Sequence, residues 1–247
     1  MDFKRLDELA AQVKAMRPLN QAELKRLRDE FVVENTYDSN AIEGNSLTLR
    51  ETALVLQEGV TIAEKPLKDH LEAIGHRDAF EYVVSLAGEK KPLTERVIKE
   101  IHSLVLMNDR ENRGVYRSVP VKIMGAQHTP PQPYLVPVQM EQLIADYEDM
   151  KKRFHIVEAV AEFHLRFEGI HPFIDGNGRT GRLILNLELI KAGLLPVNIK
   201  FTDRRKYYET FDAYYGESGS PEMLVELIAS YEVAELEKRL AILQDLH

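Results

Sequence analysis

Apolar residues recur at three- and four-residue spacing along almost the whole of this 247-residue chain, and helices are the elements that bury such a period. The spacing predicts helices over 3–16, 20–43, 48–58, 66–87, 94–107, 138–153, 155–169, 177–192, 203–216 and 221–245. Local signals support several boundaries. Thr48 with Glu51 spells a capping box, Gly59 follows the third helix, Thr94 is placed to cap the fifth, and Gly193 ends the eighth. No repeat, low-complexity tract or Gly/Ser linker divides the chain. The expected fold is therefore all-α, a single helical domain with its N-terminal helices packed on the rest.

One stretch resists a helix. From Val119 to Pro137, Val121 and Ile123 alternate with polar positions, and a Pro-rich turn then leads to Tyr134, Leu135 and Val136. That pattern predicts a β-hairpin or two-armed flap. It is longer than an ordinary connection, which favours a functional loop over a surface crossing.

Composition removes several function classes. A net charge of −8 argues against a broad basic surface for nucleic acid. The absence of cysteine removes disulfides, thiol nucleophiles and zinc–thiolate sites, so any metal is held by oxygen or imidazole. The N-terminus has no apolar signal core, and no apolar run approaches the length of about 18 residues that spans a bilayer. A cytoplasmic protein without a membrane segment is expected.

The chemistry concentrates in HPFIDGNGRTGR, His171 to Arg182. Pro172 turns the chain after one helix, and the next begins near Asn177. Gly176 and Gly178 let backbone N–H groups approach a ligand, and the unpaired donors and positive end of the helix complete an anion cradle. Arg179 and Arg182, three apart, are expected to face the same anion, for which an extended polyphosphate is the natural guest. Asp175 beside the cradle would repel phosphate unless Mg²⁺ bridged them, and Mg²⁺ is content with one or two carboxylates plus phosphates and waters. His171, with an ordinary pKa of about 6.5, suits a general base worth about 10² to 10⁴ in rate. Asn177 is expected to cap the helix or bind phosphate. Phe173 and Ile174 are expected to anchor the loop.

The motif resembles the Fic family signature: HPF, any residue, Asp or Glu, GNGR, two residues, Arg, with every fixed position matched. Similarity extends from about Asn35 to Tyr208 and includes GVYRS at 114–118, GAQHTPP at 125–131 and FHLRFEGIHPF. The resemblance implies a Fic-type bundle with a flap. It implies transfer of AMP from ATP to a Tyr, Thr or Ser hydroxyl of a target protein, with Mg²⁺ or, alternatively, Mn²⁺. His171 would be the base, Asp175 the metal ligand, Gly176, Asn177 and Gly178 the phosphate cradle, and Arg179 and Arg182 the polyphosphate clamps. The flap, through Lys122, Ile123, Met124, Gly125 and His128, would hold the target as an added strand. Tyr208, after DRRK, would border the adenine pocket. The branch that transfers phosphate carries Lys where this chain has Gly178, which favours AMP while leaving other phosphate-linked groups open.

SNAIEGN at 39–45 resembles the family's inhibitory motif. Ser39 and Glu43 share a helix face near its end, and the resemblance implies that Glu43 pairs with Arg182, taking the arginine that would hold the γ-phosphate. Two unit charges about 4 Å apart at an effective dielectric of about 20 interact by about 4 kcal/mol. The expected organisation is an N-terminal region 1–90 with an inhibitory helix at about 35–45, a Fic core at 91–215, and a C-terminal helix at 216–247 that packs on the core or pairs with a second subunit. The alternatives are a deAMPylase using the same site, with Glu43 orienting water, and a regulatory nucleotide-binding module. Auto-AMPylation belongs to the first reading. Of the other histidines, His128 is placed near substrate, while His76, His102 and His164 read as structural.

Overall fold

The computed structural model describes residues 2–16, 18–123, 128–216 and 219–245. Among these described residues ten α-helices form: α1 Lys4–Ala15, α2 Gln21–Ile42, α3 Leu49–Glu58, α4 Leu67–Gly88, α5 Glu95–Val105, α6 Val136–Arg153, α7 Ile156–Ile170, α8 Asn177–Lys191, α9 Arg204–Tyr215 and α10 Glu222–Asp245. Each lies within a few residues of its expected span. The Thr48–Glu51 capping box and the Thr94 cap are made, and Gly59 sits at φ +67° behind α3. Gly193 at φ +87° closes α8, its N–H bonded to the Ile190 carbonyl and that of Leu194 to Leu189.

The hairpin expectation is corrected. Among the described residues no strand forms, and Tyr134 and Leu135 belong to a 3-10 turn, Pro133–Leu135, that runs directly into α6. Proline explains it: Pro133 and Pro137 take first-turn positions, where a missing N–H costs nothing. Met124 and Gly125 lie outside the described residues.

Helix α8 is buried almost all round and packs on α4, α5, α7 and the end of α2. One continuous core draws side chains from Leu6 on α1 to Leu240 on α10. The closing helix packs within the chain, on α1, α7 and α9, through Leu224, Leu227, Ile228 and Leu236. The loop between α7 and α8 opens at one end of this bundle, beside the last turn of α2.

Candidate active site

Helix α7 ends at Ile170, and His171 takes the left-handed conformation, φ +49° and ψ +60°. Non-glycine residues hold such values only where their surroundings impose them. The His171 N–H still reaches the Phe167 carbonyl at 3.0 Å, and Nδ1 donates to the Glu168 carbonyl at 3.3 Å. That leaves Nε2 with the lone pair. Burial lowers the pKa of the ring, the Glu168 carbonyl opposes this, and the Arg117 guanidinium adds to it. The imidazole is thus held as a neutral base.

The loop is fixed from within. Phe173 is fully buried, its ring 3.6 Å from that of His102 and nearly parallel to it. His102 accepts the Gly114 N–H at Nδ1 and donates from Nε2 to the Asp175 carbonyl at 2.9 Å. Its pKa is pushed down to about 4, chiefly by burial. Ile174 is 42% exposed, so of this pair only Phe173 anchors the loop. Asn177 also departs from expectation. Its amide donates to the Phe173 carbonyl and accepts the Phe173 N–H, both at 2.9 Å, so the side chain ties the loop rather than capping the helix or reaching phosphate.

Gly176, at φ +77°, is the N-cap of α8, and its N–H bonds Asp175 Oδ1 at 2.6 Å. A Cβ on Gly178 would stand 2.3 Å from Glu43 Oε1 and 3.1 Å from Arg182 Nη1. The first-turn amides of α8 have no intrahelical acceptor, and the space beside them is taken by the Glu43 carboxylate.

The two arginines differ. Arg182 donates from Nη2 to Glu43 Oε1 at 2.8 Å and to the Ser39 carbonyl at 2.9 Å, and from Nε to Ser39 Oγ at 3.0 Å. Its Nη1 is buried without a partner. Burial alone would lower the Arg182 pKa; the Glu43 carboxylate and the Tyr207 hydroxyl together outweigh it and raise the value. Arg179, expected beside Arg182, instead points into the bundle. It is 1% exposed, pairs with Glu72 Oε1 at 3.2 Å, and reaches Asp175 Oδ1 at 3.4 Å and Asn40 Oδ1 at 3.5 Å.

Glu43 is aimed by its helix end. It is the C-cap of α2; Gly44 follows at φ +93°, its N–H bonded to the Ala41 carbonyl and that of Asn45 to Asn40. Ser39 lies one turn back on the same face. The Glu43 side chain is 35% exposed, so solvent reduces its attraction for Arg182 below the Coulomb figure above.

A cavity of about 400 Å³ opens beside this pair, lined by Glu43, Ile123, His128, His171, Tyr208 and Tyr215 among others. The Tyr208 hydroxyl is 3.4 Å from the Ile42 carbonyl. His128 Nε2 donates to the Gly169 carbonyl at 2.9 Å and its ring stacks on Tyr215. Lys122 is exposed.

Asp175 fits a single-carboxylate magnesium ligand. Its side chain is half exposed, and its hydrogen bonds fall on Oδ1 alone. Among the described residues no group of three or more His, Cys, Asp or Glu is placed to hold a metal, and a phosphate-sharing Mg²⁺ does not require one.

The sequence reading missed three participants. Glu72 joins Arg179 to Asn45, whose Nδ2 donates to it at 2.9 Å. Glu168 is largely buried, with Oε2 4.0 Å from His171 Nδ1, and Arg117 holds the carbonyls of the His171 turn. Glu168 and Arg117 stood inside the quoted stretches FHLRFEGIHPF and GVYRS. Glu72 had a faint signal: Asp69, Glu72 and His76 recur at three- and four-residue spacing along one face of α4.

A largely buried histidine turn, a glycine-lined helix N-terminus and a guanidinium shared with an N-terminal glutamate define a Fic-type site. Residues 92–189 match the Fic/DOC family, and the chain belongs to it. It is 37% identical over 199 residues to a protein adenylyltransferase Fic of Nematostella vectensis, covering 78% of this chain and 45% of that protein. The corresponding protein of Drosophila willistoni is 34% identical, with 84% and 42% covered. The chain thus spans less than half the length of these relatives. Among solved structures, a Fic domain containing signaling protein of Bacteroides thetaiotaomicron superposes with a TM-score of 0.89 at 29% identity, covering 98% of this chain and 97% of that one. Fic-1 of Caenorhabditis elegans gives 0.87 at 26%, covering 99% and 72%.

Proposed function

We propose that this chain is a protein adenylyltransferase, moving AMP from ATP to a Tyr, Thr or Ser hydroxyl of a target protein, and that Glu43 restrains it. The observation that carries the reading is the Glu43 carboxylate beside Gly178, holding Nη2 of Arg182 while Nη1 stands unpartnered at the same place. A carboxylate there stands in for a phosphate oxygen.

With Glu43 withdrawn, Arg182 and the first amides of α8 would receive the polyphosphate, and the cavity beside Tyr208 the adenosine. The hydroxyl oxygen attacks the α-phosphorus, its proton passes to His171 Nε2, and the bond to the β-phosphate breaks, releasing pyrophosphate. Mg²⁺, when held by Asp175 and the phosphates, supplies positive charge for the leaving pyrophosphate. Arg179 acts from behind, bracing Asp175. The segment from Lys122 to His128 would hold the target main chain, with Ile123 and His128 at the mouth of the cavity.

Glu43→Gly is expected to raise AMP incorporation, read by intact mass after incubation with ATP and Mg²⁺, by about 10-fold or more. His171→Ala in that background is expected to lower it by about 10² to 10⁴. Incorporation that is equal in the double variant removes His171 as base. A deAMPylase is the second reading, because Glu43 and His171 line one cavity. Release of AMP from a modified target by the wild-type chain, lost in Glu43→Gly, would favour it.

A further inference from the structure

Arg117 takes no part in the reaction above, yet it is only 5% exposed. Its guanidinium bonds carbonyl oxygens: Nε to His171 at 2.8 Å, Nη1 to Val119 at 3.1 Å, and Nη2 to Pro131 at 2.6 Å and to Ile170 at 3.3 Å. Its own N–H donates to the Pro172 carbonyl at 2.9 Å. Among the described residues it forms no ion pair, and burial is what lowers its pKa. A buried cation without a counter-ion is costly. The cost is offset here by carbonyls at the end of α7, where acceptors lack intrahelical donors and the helix dipole favours positive charge.

The four acceptors fall into two sets. Ile170 and His171 form the catalytic turn, while Val119 and Pro131 stand on either side of the segment that carries Lys122, Ile123 and His128. One planar group therefore grips the turn and both arms at once. A plain helix cap would satisfy Ile170 and His171 and have no use for Val119 or Pro131.

We propose that Arg117 is a positioning residue that fixes the His171 turn and both arms of the flap segment as one unit, keeping the base in register with a hydroxyl docked on the flap. The inference rests on AMP transfer at His171. Lysine cannot replace the fork, because an ammonium is a point donor on a flexible stem.

The test uses Arg117→Lys and Arg117→Gln in the Glu43→Gly background. Arg117→Lys is expected to keep the cooperative melt and the binding of ATP with Mg²⁺, to lose about 100-fold in turnover, and to raise the KM for the target protein. The titratable groups facing His171 are Glu168, Glu43, Asp175 and Arg117. Arg117→Gln removes a charge that disfavours the imidazolium, so the His171 titration, followed by NMR of ring-labelled histidine, should move to higher pH. Arg117→Lys should move it less. Parental turnover per folded molecule in Arg117→Lys, or an unmoved titration in Arg117→Gln, overturns the proposal. If the Glu43→Gly parent itself transfers no AMP, the AMP-transfer reading falls, and the titration still decides whether Arg117 governs the His171 turn.

Discussion

The loop from His171 to Arg182 and the second half of α2 meet at one guanidinium, but they are held in opposite ways. The loop is bound largely by neighbours in sequence: Asn177 to both backbone groups of Phe173, Gly176 to Asp175, His171 to Phe167. Beneath it the Phe173 ring is sealed in the core. The end of α2 is bound by distant, mostly polar partners. Asp38 accepts from Asn198 Nδ2 at 2.7 Å and from the Phe201 N–H at 2.9 Å, Thr36 bonds His76, and Ser39 and Glu43 hold Arg182. Asn35, Thr36, Asp38, Ser39 and Asn40 are all buried. Water can take over such contacts at modest net cost, whereas an apolar seam would lose its burial outright. On the proposed function, the contrast is between a loop that stays assembled and a restraint that can be displaced from it.

The largest effect should come from cutting the anchor of the loop. Phe173→Ala is expected to destabilise the chain by about 3–5 kcal/mol in urea unfolding and to abolish AMP incorporation in the Glu43→Gly background. A loss below about 1 kcal/mol would mean that the ring does not anchor the loop.

A smaller effect is expected where the two regions touch, at Glu168. Its carboxyl is pushed up to about 8, first by burial and then by the Glu43 carboxylate, with Arg182 pulling the other way. The folded chain keeps a proton that the unfolded chain, titrating at 4.5, gives up. Stability from this group is therefore complete below the unfolded value and is lost as pH rises toward and through about 8. Glu168→Gln should flatten the pH dependence of unfolding between pH 5 and 8 by up to about 1.4 kcal/mol per unit. Glu43→Gly should shift the same slope to lower pH. Parallel profiles for wild type and Glu168→Gln would show that Glu168 does not carry the proton.

How much of this was legible follows the same division. The ten helices, the turn at Pro172 and the Ser39–Glu43 face are consequences of local spacing, and the sequence carries local spacing in full. Arg179 and Asn177 were misplaced because helix periodicity tells which way a side chain leaves its own helix and nothing of what waits there. For Arg179 that was Glu72 on α4 and Asn40 on α2; for Asn177 it was the backbone of Phe173. Tyr134–Val136 read as a strand because β-branched and aromatic residues follow a proline-rich turn, while the prolines themselves start a helix. Arg117 was visible as a residue of GVYRS, but its task depends on four carbonyls brought together only by the fold.

The finest probe of the restraint is Ser39. Its hydroxyl accepts from Arg182 Nε at 3.0 Å and its carbonyl from Nη2 at 2.9 Å, so Ser39→Ala removes the first and spares the second. A hydrogen bond of this kind contributes about 0.5–1.5 kcal/mol, more to a charged donor, and about 1.4 kcal/mol is a tenfold change in an equilibrium. AMP incorporation by Ser39→Ala should therefore rise several-fold over wild type and stay below that of Glu43→Gly, which removes the charge itself. Ser39→Ala with Glu43→Gly should behave as Glu43→Gly alone, since a restraint already released cannot be released again. If Ser39→Ala adds a further rise in that background, Ser39 acts on the nucleotide site directly, and the two residues are not parts of one latch.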